Sequence, residues 1–136
     1  MNNSELIKLA LKARKMSYSP YSGFSVGAAL LCADGTVYTG CNIENSAFSP
    51  TNCAERTAFF KAVSEGKRDF LKIAVTGDAS DEEFPGKYCF PCGVCRQVMK
   101  EFCSADFEII SAKRIDDFKV IQLSELLPEG FDIREV

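Results

Sequence analysis

The stretch Pro91-Cys92-Gly93-Val94-Cys95-Arg96 decides the reading of this chain. It ends a turn-rich segment, 77–91, that carries Gly, Pro and the acidic residues Asp78, Asp81, Glu82 and Glu83. It opens a helix predicted over 93–103. A strand is predicted ahead of that loop at 70–76. Two more follow the helix at 107–111 and 120–123, and a short helix at 125–127 is stopped by Pro128. Further upstream, 52–65 reads as a helix with Gly66 just past its end. Residues 42–51 (NIENSAFSPT) form a polar loop. Residues 24–32 are small and apolar with no helical stripe, which predicts a strand buried on both faces. Asp34-Gly35 is a hairpin turn signal, and 36–41 is the returning strand. Residues 4–16 carry Leu6, Leu9, Ala10, Ala13 and Met16 at helical spacing, with Ser4 as N-cap. The order is helix, hairpin, helix, strand, helix, strand, strand. Such alternation predicts an α/β sandwich around a mixed sheet, with antiparallel pairing from the hairpin and parallel pairing from helical crossovers.

The chain has 136 residues, which predicts a single domain spanning 1–136. A chain of this length buries roughly two-thirds of its unfolded surface and needs no disulfide staples. It contains no histidine. That excludes Ser-His-Asp triads, Cys-His dyads and imidazole metal ligands. The net charge is -3 and the pI about 5.0, with basic residues scattered singly or in pairs. Phosphate contact dominates affinity for nucleic acid, so no polynucleotide partner is expected. No apolar run reaches the ~18 residues of a membrane span. Residues 1–11 lack a basic region ahead of a cleavage site. No membrane association and a cytoplasmic location are the expectation.

Seven cysteines stand at 32, 41, 53, 89, 92, 95 and 103. In a chain with no export signal they suggest metal binding or reactivity more than disulfides. Asn52-Cys53-Ala54-Glu55-Arg56 and the segment at 91–96 each open a predicted helix. Without histidine, thiolates must carry any zinc site. Cys53, Cys92 and Cys95 supply three, leaving one tetrahedral position for water, as in a catalytic centre. Three thiolates leave a net charge of -1 on the site. Two helix N-termini, each with roughly half a positive charge, offset it, as can Arg56 or Arg96 donating to sulfur. Two other readings stay open: a redox pair at 92 and 95 with a buried Cys53, or a closed structural site completed by Cys89. Cys32, Cys41 and Cys103 read as buried small hydrophobes.

Cys53-Ala54-Glu55-Arg56 followed by Pro91-Cys92-Gly93-Val94-Cys95-Arg96-Gln97 resembles the zinc-dependent nucleoside deaminases, above all the small three-cysteine cytidine deaminases. Tyr21-Ser22, the run from Phe24 to Ala29, Asn42-Ile43-Glu44-Asn45 and Leu126-Leu127-Pro128 extend the resemblance over nearly the whole chain. The resemblance implies a three-layer α/β/α sandwich with a five-stranded mixed sheet and one zinc ion per chain. It implies a homotetramer whose active sites are completed by neighbours. The implied reaction is hydrolytic deamination of cytidine and deoxycytidine, a step of pyrimidine salvage. Deamination of another aminopyrimidine nucleoside, such as a nucleoside antibiotic, is the nearest alternative, and a non-enzymatic zinc module a more distant one.

The resemblance also implies roles. Cys53, Cys92 and Cys95 are the zinc ligands and Glu55 the proton shuttle, although Asn52-x-x-Glu55 equally fits a helix capping box. Asn42 and Glu44 hold the ribose hydroxyls, unless that loop is merely solvated. Glu44 would repel a 5′-phosphate, favouring nucleosides over nucleotides. Phe24 packs on the pyrimidine and the backbone of Ala54 reads the base. Phe48 and Phe131 reach a neighbouring subunit's pocket. Each of these phenylalanines could instead be core. Two features depart from the family pattern: Phe90 stands where Ser is common before Pro-Cys, and the segment between Thr76 and Pro91 is longer than in the shortest members.

Overall fold

A computed structural model describes residues 1–135. Its elements are α1 (Asn3–Arg14), β1 (Phe24–Cys32), β2 (Val37–Cys41), α2 (Ala54–Ser64), β3 (Phe70–Ala79), α3 (Gly93–Phe102), β4 (Glu108–Arg114), β5 (Asp117–Gln122), α4 (Leu123–Leu126) and a 3-10 turn at Ile133–Glu135. The five strands run in the order β2-β1-β3-β4-β5. β1 is antiparallel to both β2 and β3. β3 and β4 are parallel and joined through α3, as the expected helical crossover requires. β4 and β5 form an antiparallel hairpin.

Strand residues point alternately to the two faces of a sheet, and here each face has its own core. Ala28, Leu30, Ile73, Val75 and Ile109 pack with Ala54, Ala58, Phe59 and Ala62 of α2 and Met99 of α3. The intervening Ala29, Leu31, Ala74, Ile110 and Ala112 pack with Leu6, Ile7 and Ala10 of α1. The result is the expected α/β/α sandwich with a five-stranded mixed sheet. Phe59 anchors the first core, 5.2 Å from Phe70 and 6.1 Å from Phe107 by ring centroids.

Two close approaches set the helices on the sheet. A Cβ on Gly27 would lie 2.1 Å from the Ala10 carbonyl oxygen, so α1 rests directly on β1. A Cβ on Gly40 would lie 2.4 Å from the Ala54 carbonyl oxygen and 2.7 Å from the Ala58 nitrogen. Gly40 therefore lets the first turn of α2 touch β2, which fixes where Cys53, Ala54 and Glu55 emerge.

Several boundaries differ from the sequence reading. Asn2, not Ser4, caps α1, through a complete capping box with Glu5; the Ser4 hydroxyl donates instead to the Ile115 carbonyl at 2.8 Å. The buried stripe is Leu6, Ile7, Ala10 and Arg14, while Met16 is exposed. Arg14 is a buried cation. Its guanidinium donates to the carbonyls of Ser25 (2.9 Å), Ala79 (2.8 Å) and Glu82 (2.8 Å), tying the start of the long loop to α1. β3 extends three residues past the expected end at 76, because it pairs with β1 as far as Phe24↔Ala79. Asp78 thus lies in a strand, where it accepts from the Gly86 N–H at 2.7 Å. Cys32 is buried as expected, but Cys41 and Cys103 are only partly so.

Gly40→Ala is expected to lose about 2–3 kcal/mol, since neither helix nor strand backbone can give way cheaply. Gly93→Ala adds a methyl that meets nothing within 4 Å and should be neutral or gain up to about 1 kcal/mol at the start of α3. Urea unfolding of both variants checks the contrast.

Candidate metal centre and active site

The starts of α2 and α3 converge. Cys53 is the N-cap of α2 and Cys92 the N-cap of α3, and neither makes a side-chain capping bond. Cys95 follows in the first turn of α3. The Cys53 and Cys92 Sγ atoms are 3.7 Å apart and those of Cys92 and Cys95 3.6 Å. All three lie within 4.8 Å of one another, and all are free thiols. Four sulfurs or oxygens around zinc at about 2.3 Å would span tetrahedral edges of about 3.8 Å. The observed spacing fits three such corners. No disulfide joins Cys92 to Cys95, and Cys53 stands with them rather than buried apart as the redox-pair reading has it.

Three sulfurs this close cannot all ionise without a cation among them. A hydrogen bond from the Cys95 thiol holds Cys53 well below the ordinary thiol range, with the Arg56 guanidinium helping. Cys95 is pushed up by that same contact and by burial. Arg56 Nη2 donates to Cys53 Sγ at 3.1 Å, the charge-offsetting contact expected of it. Arg96 does not share this role. Its Nε donates to the Pro91 carbonyl (2.8 Å) and its Nη1 to the Leu126 carbonyl (2.7 Å), so it braces the metal segment against the carboxy-terminal region.

Cys89 stands outside the sulfur cluster. Its Sγ lies 2.9 Å from where a Cβ on Gly77 would be, and burial pushes the thiol up to about 12. The cluster among the described residues has three members, so the closed four-thiolate arrangement is not formed.

Glu55 is 4% exposed in the first turn of α2. Burial, above all, pushes its carboxyl up to about 7, with the Cys53 charge adding to the rise and Arg56 opposing it. A carboxyl poised there can both take and give a proton near neutral pH. The capping-box alternative does not form. The cap is Cys53, which shifts the frame by one residue, and Asn52 Nδ2 donates to the Thr57 hydroxyl at 3.2 Å.

A cavity of about 320 Å³ opens onto these groups. Phe24, Asn42, Glu44, Ala54 and Glu55 line it together with Cys53 and Cys92. Asn42 is already engaged: its Oδ1 accepts from the Val26 N–H (2.8 Å) and the Ser17 hydroxyl (2.5 Å), and its Nδ2 donates to the Phe24 carbonyl (2.8 Å). Glu44 accepts from the Tyr21 and Ser22 N–H groups (2.9 and 3.1 Å) and from the Ser22 hydroxyl. The hydroxyl contact leads in holding its carboxyl below the usual range. Both polar groups are therefore held in place before any ligand arrives. Ser22, Val26, Cys89 and Phe90 also line the cavity. Of these, only Phe90 is a departure from the family pattern in the sequence.

Phe48 and Phe131 are not brought into this cavity. Phe48 is 94% exposed and Phe131 59%. Neither belongs to the core. Phe48 borders a shallow neighbouring hollow with Tyr21, Glu44 and Ser46.

A sandwich of this topology with three cysteines at two helix starts and a carboxyl beside them defines a class. The family described as "cytidine and deoxycytidylate deaminase zinc-binding region" matches residues 1–110. The chain belongs to this zinc-binding deaminase family. It is 51% identical over 131 residues to a cytidine deaminase of Sporosarcina psychrophila, covering 96% of this chain and 92% of that protein. It is 49% identical over 136 residues to a cytidine deaminase of Halalkalibacterium halodurans, covering 100% and 98%. The crystal structure of cytidine deaminase from Burkholderia pseudomallei superposes with a TM-score of 0.87 at 42% identity, covering 96% of this chain and 100% of that one. The family's metal is zinc, and the three-sulfur cluster suits one ion. Among the described residues no helix is long and apolar enough to cross a membrane.

Cys89→Ser is expected to keep one zinc per chain, whereas Cys92→Ser should lose most of it. Metal analysis after dialysis checks both.

Proposed function

We propose that this chain catalyses the hydrolytic deamination of cytidine and deoxycytidine to uridine and deoxyuridine, with ammonia as the second product. The observation that carries this reading is a buried carboxyl, Glu55, beside a three-sulfur cluster, on a cavity that Asn42 and Glu44 also line. Cys53, Cys92 and Cys95 hold zinc. When bound, that ion supplies a Lewis acid that brings the pKa of a water to about 7.

The remaining work falls to the protein. Glu55 accepts the proton that water gives up and passes it to ring N3 as the water oxygen bonds to C4; it then takes the remaining proton from that new hydroxyl and delivers it to the amine, which leaves C4 as ammonia. Its raised pKa suits this two-way traffic. Phe24 packs against the pyrimidine, and the buried backbone at Ala54 reads the base edge. Asn42 and Glu44 hold the sugar hydroxyls, their orientation set by the Ser17 and Ser22 contacts. Arg56 and the two helix starts offset the thiolate charge. Glu44, kept ionised by Ser22, would repel a 5′-phosphate, so a nucleoside is the substrate rather than a nucleotide or a polynucleotide.

The working unit is the single domain 1–136, acting in the cytoplasm in pyrimidine salvage and without a membrane or nucleic-acid partner. Its exposed Phe48 and Phe131 fit a homotetramer in which each enters a neighbour's pocket.

Glu55→Gln should fold and retain zinc but release ammonia from cytidine about 10³-fold more slowly. A folded, zinc-loaded and fully active variant would overturn the assignment. Cytidine 5′-monophosphate should be used at least about tenfold less efficiently than cytidine, a penalty of roughly 1.4 kcal/mol, as read from kcat/KM.

A further inference from the structure

We infer that Cys89 and Phe90 are specificity-determining residues: they form a wall without strong hydrogen-bonding groups against the carbon-5 edge of the pyrimidine, one that accepts an apolar 5-substituent and disfavours one bearing a hydroxyl. This rests on the deaminase reading and goes beyond it to the range of bases.

The wall is continuous. Cys89, Val26 and Phe24 meet above Gly77, where an added Cβ would lie 2.9 Å from Cys89 Sγ, 3.0 Å from Val26 Cγ2 and 3.2 Å from Phe24 Cε1. Phe90 lines the same cavity beside them. None of these side chains offers a good donor or acceptor. The cavity's polar side chains, Ser22, Asn42, Glu44, Thr51, Asn52 and Glu55, all come from outside the segment that carries Cys89 and Phe90.

The wall is also braced from behind. The Ser111 hydroxyl donates to the Cys89 carbonyl at 2.7 Å. The Tyr88 hydroxyl donates to Asp117 Oδ1 at 2.5 Å, and the Lys113 and Lys119 ammonium groups each sit 4.5 Å from the Tyr88 ring. Residues 88 and 89 are thus tied to β4 and β5, and Phe90 is held between them and Pro91, which accepts from Arg96.

Chemistry orients the base. C4 must face the sulfur cluster and N3 must face Glu55, which α2 supplies. C5 adjoins C4 on the edge that does not carry N3. It is therefore turned from α2 toward the other segment that reaches the sulfurs, which runs through Cys89 and Phe90 to Cys92. A methyl group there meets apolar surface, whereas a hydroxymethyl group loses water from its hydroxyl and finds no partner.

The test compares kcat/KM for 5-methylcytidine and 5-hydroxymethylcytidine, with cytidine as reference, in zinc-loaded native protein and in Phe90→Ser and Cys89→Ser. The native protein should favour the methyl compound by about tenfold or more. The preference should shrink at least about threefold in each variant, because the new hydroxyl gives the substrate's a partner. Native protein that treats the two compounds alike, or a preference unchanged in both variants, overturns the inference. The native ratio decides even where a variant fails to fold. Native protein inert toward cytidine itself overturns the deaminase reading instead, and the inference with it.

Discussion

Three sulfur atoms packed within 4.8 Å of one another are the constraint on which the molecule turns. Apart from a cation they are an electrostatic liability, since neighbouring thiolates raise one another's energy and force protons to remain. With a cation they become its ligands. Holding them there requires that two helices, from parts of the chain some 39 residues apart, begin at the same point. Gly40 sets one of those starts by letting α2 rest on β2. The parallel β3–α3–β4 crossover sets the other, since α3 begins where the loop after β3 returns across the sheet. Both N-termini then turn the positive ends of their dipoles toward the sulfurs.

The same arrangement explains why a carboxyl can sit in so dry a place. Glu55 is carried into the interior by the first turn of α2, two residues after a sulfur ligand. Burial raises its proton affinity and the neighbouring thiolate raises it further, while Arg56 limits the rise. Arg56 also donates to Cys53. One cation thus moderates both the sulfur charge and the carboxyl beside it.

The loop between β3 and α3 carries the other half of the cavity. Its beginning is held by the Arg14 guanidinium and by Asp78, and its end by Tyr88 and Ser111. These contacts link α1, β3, β4 and β5 to one edge of the cavity. The polar lining is organised separately, with Asn42 and Glu44 already bound by backbone and hydroxyl groups. A cavity whose walls are set in advance orders few side chains when a ligand enters, and so loses less entropy on binding.

Much of this was legible in the sequence by itself. The alternation of helices and strands, the Asp34-Gly35 turn and the cysteine spacing are local signals, each carried by a few neighbouring residues, and they led to the sandwich and to the sulfur ligand candidates. The absence of histidine narrowed the metal chemistry to thiolates at once. What tertiary structure alone decided depends on residues far apart in the chain. Ser4 resembles an N-cap, but its hydroxyl is taken by the Ile115 carbonyl, 111 residues further along the chain. Arg14 is outside the apolar stripe read from the sequence, yet it is buried, with carbonyls from β1 and the 79–82 region around it. Cys89 competes with the other cysteines by spacing alone, and only the space above Gly77 draws its sulfur away from them. Sequence spacing records distance along the chain; which sulfur, cation or ring fills a given volume is settled by the packing of elements that are not neighbours in it.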